Sequence, residues 1–279
     1  MLRRGFLLIV GIALLALPAS ALRINGSTTV NPVVVRAAEI LQAEQGLKIL
    51  VDTQGGSSGG IAALGDGRVE IGMSSRPLSA KDRERFPGTR FQPVPIGYDA
   101  VALAVSRDVW EGGLRTLTRQ QVRGLYEGTI RNWREIGGPD RRVAFFNKEP
   151  GRGTWEVFAD WLYGDADRAP LVSLPEVGSN EEGRNKVRST RGAITQISVA
   201  WTDQRSLFAV PLIADDGTAV EPSRDHLEAG SYPLSRPLLV ITNGDPRGEA
   251  RLMVDFLLSP RGQGLVEESG YLSLGDLAR

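Results

Sequence analysis

Leu22-Arg23-Ile24-Asn25-Gly26-Ser27-Thr28-Thr29-Val30-Asn31-Pro32-Val33-Val34 is the stretch on which the reading of the fold turns. Leu22 to Ile24 is a short apolar strand that runs straight into a small polar turn, Asn25 to Thr29. Beyond the turn, Val30, Val33, Val34, Ala37, Ile40 and Leu41 recur at three- and four-residue spacing. That period predicts an amphipathic helix, with Pro32 tolerated in its first turn.

The unit of strand, small polar turn and helix recurs downstream. Leu47 to Val51 reads as a strand, Gln54 to Gly60 as a polar turn, and Ile61 to Leu64 as the start of a helix. Val69 to Met73 is a third strand and ends in Ser74-Ser75-Arg76-Pro77. Alternation of this kind predicts an α/β fold of mostly parallel sheets with helices on both faces. Such sheets bind ligands beyond the carboxyl ends of their strands, which is where all three turns lie.

A second unit starts at Val94 to Val105, read as a pair of apolar strands crossed by Gly97-Tyr98-Asp99. Thr118 caps a helix that turns Val122, Leu125 and Tyr126 inward, and Trp133 joins them. Val143 to Phe146 is a strand leading into Lys148-Glu149-Pro150-Gly151-Arg152-Gly153-Thr154, and the following helix buries Val157, Phe158, Trp161 and Leu162. The chain returns through the apolar strand Pro237 to Ile241 and ends in a helix carrying Leu252, Met253, Phe256 and Leu257. Pro93–Tyr98 and Tyr232–Pro237 are the expected crossovers, a natural hinge. The expected division is a first lobe of residues 22–95 plus 238–279 and a second of 96–237.

Composition bounds the function. Arg3 and Arg4 precede an apolar run, Gly5 to Leu17, and then the small residues Pro18-Ala19-Ser20-Ala21. This is the layout of an export signal over residues 1–21, removed near Ala21, and the run is shorter than the roughly 20 residues a membrane span needs. The expectation is a periplasmic protein and a monomer. No cysteine is present, so disulfides, thiolate chemistry and N-terminal lipid attachment are excluded. Loss of Arg3 and Arg4 tips 33 Lys+Arg against 33 Asp+Glu to a slight acidic excess, which gives no general attraction for nucleic acid. An anion would have to be held by a local site.

The turns supply such a site. Helix N-termini offer free N–H groups and a partial positive charge, glycine admits close backbone approach, and Ser or Thr adds a hydroxyl. Ser27, Thr28 and Thr29 head the first helix, Ser57 and Ser58 the second, Ser75 follows the third strand, and Gly153-Thr154 heads a fourth unit. Any one of these alone is an ordinary cap. Their convergence is what points to an oxyanion, with Arg76, Lys148 and Arg152 as candidate cations.

Ile24-Asn25-Gly26-Ser27-Thr28-Thr29-Val30, Gln54-Gly55-Gly56-Ser57-Ser58-Gly59-Gly60-Ile61, Ile71-Gly72-Met73-Ser74-Ser75-Arg76-Pro77-Leu78 and Pro150-Gly151-Arg152-Gly153-Thr154, in this order, resemble the phosphate-binding proteins of ABC importers. The resemblance spans nearly all of residues 22–279. It implies a type II two-lobe periplasmic-binding fold that closes on phosphate, without a cofactor, and delivers it to an ABC permease in the inner membrane. It also implies that Ser27, Thr28, Thr29, Ser57 or Ser58, Gly153 and Thr154 contact the anion, and that Lys148 stands where the family usually places an Arg. Many members carry an acidic residue near Ser75; this chain has Ser75 followed by Arg76. Arg152 replaces the more usual Ser between the glycines. Gly178-Ser179-Asn180 and Arg191-Gly192-Ala193-Ile194 resemble the segment closing the second-lobe wall, with Thr195-Gln196 in place of Gly-Tyr.

Other classes are weaker. Gly56-Ser57-Ser58-Gly59-Gly60 fits the Gly-x-Ser-x-Gly elbow of serine hydrolases, but the one histidine available as base, His226, sits in the polar stretch Ser223 to Glu228. No phosphate-loop motif and no metal-ligand cluster occurs. A periplasmic oxyanion sensor or secretion accessory is the alternative that sequence leaves open, and sulfate or molybdate are the alternative ligands.

Overall fold

The computed structural model describes residues 21–276. The export signal expected over residues 1–21 therefore lies outside the described residues, apart from Ala21. In chain order the elements are β1 (Leu22–Gly26), α1 (Asn31–Gln45), β2 (Ile49–Asp52), α2 (Gly56–Gly65), β3 (Ile71–Ser74), α3 (Ala80–Arg85) and β4 (Phe91–Ser106). They continue as α4 (Arg107–Glu111), β5 (Leu117–Thr118), α5 (Arg119–Glu127), β6 (Ala144–Lys148), α6 (Gly153–Tyr163), β7 (Glu176–Val177), α7 (Asn180–Ser189) and β8 (Ala193–Ser198). The last are β9 (Leu207–Ala209), β10 (Leu212–Ile213), β11 (Ala219–Val220), α8 (Arg224–Glu228), β12 (Ser235–Asn243), α9 (Gly248–Leu258) and α10 (Pro260–Glu268).

The architecture is α/β and has two lobes, as expected. β1, β2 and β3 run parallel in one, and β6, β7 and β8 run parallel in the other. Two antiparallel strands, β4 and β12, join them: β12 pairs with β3 and with the first half of β4, while the second half of β4 pairs with β8. Each lobe has its own apolar core. One gathers Ile24, Val34 and Leu41 with Ile96, Val240 and Met253; the other gathers Leu103, Tyr126, Trp133, Phe158 and Ile194. A third connection lies at the back, where Tyr98 and Leu272 exchange two backbone hydrogen bonds of 2.9 Å.

Two local readings are corrected. The segment Val94 to Val105 is one strand, not a pair crossed by a polar turn, because Tyr98 and Asp99 keep their places in the ladder opposite Pro237 and Arg236. The polar turn after β2 ends sooner than expected, and α2 already begins at Gly56. Gly55 and Gly56, at φ 73° and 60°, turn the chain in the left-handed region that glycine tolerates, and the helix then starts at once. Ser57 and Ser58 thereby fall in the first turn of a helix, on different sides of it. Thr118 caps α5 as read from the sequence: its hydroxyl accepts from the Gln121 amide, and the Gln121 side chain accepts in return from the Thr118 N–H.

Candidate functional site

The carboxyl ends of β1, β3 and β6 and the starts of α2 and α6 converge between the two cores on one small cavity. Ser27, Thr28 and Thr29 line it from the β1–α1 turn, Ser57 from α2 and Ser75 from the end of β3. Lys148, Arg152, Gly153 and Thr154 line it from the other lobe. The lobes are pressed together there. A Cβ on Gly153 would sit 2.5 Å from the Ser57 hydroxyl and 2.7 Å from that of Ser75, so only glycine lets α6 begin this close to α2. The amides of Gly153 and Thr154, in the first turn of α6, have no intrahelical acceptor and present N–H groups at the cavity wall.

The hydroxyls form a connected set. Ser27 Oγ donates to Ser75 Oγ at 2.9 Å and accepts from the amides of Thr29 and Val30. Ser57 Oγ accepts from the Ser75 amide at 3.1 Å. Thr29 Oγ1 accepts from the Asn180 side chain at 3.0 Å, a contact from α7 across to the β1–α1 turn.

Beneath these groups lies Arg236, which the sequence reading did not single out. It is fully buried and bonds to Asp99 Oδ2 through Nε at 3.0 Å and Nη2 at 2.7 Å. Its remaining donor capacity goes to the cavity hydroxyls: Nη1 donates to Thr154 Oγ1 at 2.8 Å and to Ser75 Oγ at 3.4 Å, and Nη2 to Thr29 Oγ1 at 3.3 Å. Burial pushes the Asp99 carboxyl up, against the pull of Arg236 and the Ser198 hydroxyl. The available signal was a pair of opposite charges at the two expected crossovers, Arg236 within Tyr232–Pro237 and Asp99 immediately after Pro93–Tyr98.

Lys148 is the buried cation of the second lobe. Its Nζ donates to the carbonyls of Ser179 and Gly178. Burial, followed by the positive charges of Arg152 and Arg236, lowers it from 10.5 to about 7. Arg152 lines the cavity but turns its guanidinium onto Glu149, at 2.6 Å and 2.9 Å, and reaches toward the Thr53 carbonyl at 3.4 Å.

Two candidates are not brought to the cavity. Ser58 Oγ donates to Glu156 Oε1 at 2.7 Å and accepts from Arg76 Nη2 at 3.1 Å. Arg76 pairs with Asp82 and Glu156 and donates to the Pro77 carbonyl, so its charge is spent at the outer edge of the lobe contact. The hydrolase alternative loses its base as well. His226 Nδ1 lies 3.1 Å from Ser223 Oγ and 3.0 Å from the Glu221 carbonyl, at the start of α8, while Ser58 is held by Glu156 and Arg76. Among the described residues no group of three His, Cys, Asp or Glu side chains is placed to hold a metal ion, and no helix is long and apolar enough to cross a membrane.

Comparison with known proteins follows the same lines. The family model of the PBP superfamily domain matches residues 16–261. The phosphate-binding protein PstS of Bacillus subtilis is 26% identical over 260 residues, which is 93% of this chain and 82% of that protein. A Clostridium perfringens protein crystallised with bound phosphate superimposes with a TM-score of 0.79 at 29% identity, covering 91% of this chain and 100% of that one. An ABC-type phosphate transport receptor from Vibrio cholerae gives a TM-score of 0.70 at 27% identity, covering 90% and 99%.

Proposed function

The chain belongs to the PBP superfamily, and from that membership we propose that it captures inorganic phosphate in the cleft between its lobes and hands it to an ABC permease. It is a binding protein and performs no catalysis. One observation carries the reading: hydroxyls and helix-start amides from four separated segments, with a buried lysine, line a single small cavity between the lobes. Such a set satisfies an anion without metal, since the amides at a helix start carry about half an elementary charge and glycine lets them come close.

The ligand groups on this reading are Ser27, Thr28, Thr29, Ser57, Ser75, Lys148, Arg152, Gly153 and Thr154. Ser58 and Arg76 serve instead to hold the lobes together. The division into residues 22–95 plus 238–279 and 96–237 is supported by the two separate cores, with two exceptions at its edges: Ile96 packs in the first core and Leu272 in the second. On this reading residues 1–21 are an export signal cleaved near Ala21, and the capture takes place in the periplasm.

Isothermal titration of the purified protein with inorganic phosphate tests the reading. One saturable site per chain is expected; absence of binding heat and of any thermal stabilisation by phosphate would sink it.

A further inference from the structure

We infer that the pole of the second lobe opposite the cavity is an arginine face that docks on the anionic phospholipid headgroups of the bilayer holding the permease. The inference rests on the proposed hand-over to an ABC permease and adds the surface that keeps the protein near it.

This pole lies where β6 and β8 begin and β4 ends. Four segments are stitched together there. The Asp108 carboxylate accepts from the Gly192 amide, the Gly192 carbonyl accepts from the Ala144 amide, the Arg205 carbonyl accepts from the Arg107 guanidinium, and Gly112 packs on Pro139. Residues 107–115, 131–142, 186–191 and 203–205 carry ten Lys and Arg against five Asp and Glu. Without residues 1–21 the chain has a slight acidic excess, so the face stands against the sign of the whole.

The arginines here are loosely paired. Arg107 lies 3.9 Å from Glu111, while Arg141 and Arg191 share Asp108 at 3.7 Å and 4.0 Å. Arg142, Arg188 and Arg205 are exposed and, among the described residues, enter no ion pair. On the first lobe, by contrast, Arg23, Arg251 and Arg261 each hold a carboxylate of their own at 2.7 Å. Arg107, Arg188 and Arg191 line one open groove with Ser189 and Thr190.

Guanidiniums fit phosphodiesters, which accept two parallel N–H bonds. A protein partner would need an apolar centre to the interface. None of the exposed large apolar side chains, Leu50, Leu171, Leu252 and Leu258, belongs to these segments. At physiological salt a charge acts over about 8 Å, so the pole feels a bilayer that the acidic remainder of the molecule, farther off, does not. The cavity lies at the other end of β6, so docking leaves it free.

Sedimentation with lipid vesicles tests this. In ~0.1 M NaCl the purified protein is expected to bind vesicles containing phosphatidylglycerol at least about tenfold more tightly than vesicles of phosphatidylcholine alone, and to leave them in ~0.5 M NaCl. Arg142→Gln, Arg188→Gln and Arg191→Gln combined should weaken vesicle binding by about a hundredfold and leave phosphate affinity unchanged. Arg251→Gln with Arg261→Gln, on the first lobe, should leave vesicle binding unchanged. Equal binding to the two kinds of vesicle, or a triple variant that sediments like wild type, overturns the inference, while titration of the same samples with phosphate reads the capture independently. Binding to poly-glutamate but not to vesicles assigns the face to an acidic protein and overturns it too. Docking through these arginines by a protein that takes up no phosphate supports the face and overturns the capture. If the triple variant does not fold, the wild-type preference between vesicles and its loss with salt still decide.

Discussion

The Arg236 guanidinium and the Asp99 carboxylate meet at 2.7 Å with neither side chain exposed, on adjacent positions of the two strands that join the lobes. Removing one partner of such a pair leaves a buried charge uncompensated and costs about 3–5 kcal/mol, whereas replacing both by apolar residues is often neutral. Asp99→Asn should therefore unfold at markedly lower urea. The double variant Asp99→Leu, Arg236→Met should regain most of that stability yet bind phosphate weakly, because Thr29, Ser75 and Thr154 lose their common donor. Urea unfolding and phosphate titration on the same samples separate the two effects. A double variant with wild-type affinity would show that the pair has no part in the site.

Thr154 stands where the second lobe meets the Arg236 guanidinium, and its hydroxyl proton is the part left for a ligand. A hydrogen bond to a charged partner contributes about 1.5–3 kcal/mol. Thr154→Val keeps the shape and removes the hydroxyl, so phosphate affinity should drop by one to two orders of magnitude. It also leaves Arg236 Nη1 with one acceptor fewer, so the melting temperature of the free protein is to be recorded alongside. Unchanged affinity would remove Thr154 from the site.

What the sequence made legible follows from where its signals are local. β1, α1 and the turns around them are announced by period and by small polar residues within a dozen positions, and they stand as read apart from the early start of α2. Nine of the eleven candidate residues reach the cavity because each sits at a strand end or helix start, whose direction the α/β pattern already sets. Ser58 and Arg76 escaped because the orientation of a side chain within a turn depends on what packs opposite, here Glu156, 98 residues from Ser58. Arg236 and Asp99 escaped for a related reason. They are 137 residues apart, and a charge in an apolar strand has no meaning until its partner strand is known.

Glu156 on α6 accepts from Ser58 on α2 and pairs with Arg76, a clasp between the lobes at the edge of the cleft. A ligand-free protein can shift between open and closed forms only as far as such contacts allow. Glu156→Gln weakens the clasp and should enlarge the radius of gyration of the free protein in X-ray scattering. Phosphate affinity should fall about three- to tenfold, chiefly through faster release in stopped-flow measurements. Identical release rates in the two proteins would mean the clasp does not govern closure.

Lys148 gives the site its pH dependence. Burial lowers it from 10.5 to about 7, so in the free protein it is charged below that pH and neutral above it. Between pH 7 and 10.5 the unfolded chain binds a proton at Lys148 that the folded chain does not, and stability linked to this residue rises with pH across that window and is lost as pH falls back through it. Binding runs the other way. An anion favours the charged ammonium, so above pH 7 the protein must take up a proton to bind well, and affinity should decline by up to about tenfold per pH unit until the lysine of the bound state also titrates. Phosphate's own ionisation is common to all variants and cancels in a ratio. Lys148→Arg keeps its charge throughout, so the wild-type affinity divided by that of Lys148→Arg should fall steadily from pH 7 to 9. A flat ratio would mean that Lys148 is charged in the free protein over the whole range, and that the carboxylates of Glu182 and Glu149 and the carbonyls of Gly178 and Ser179 already offset its burial.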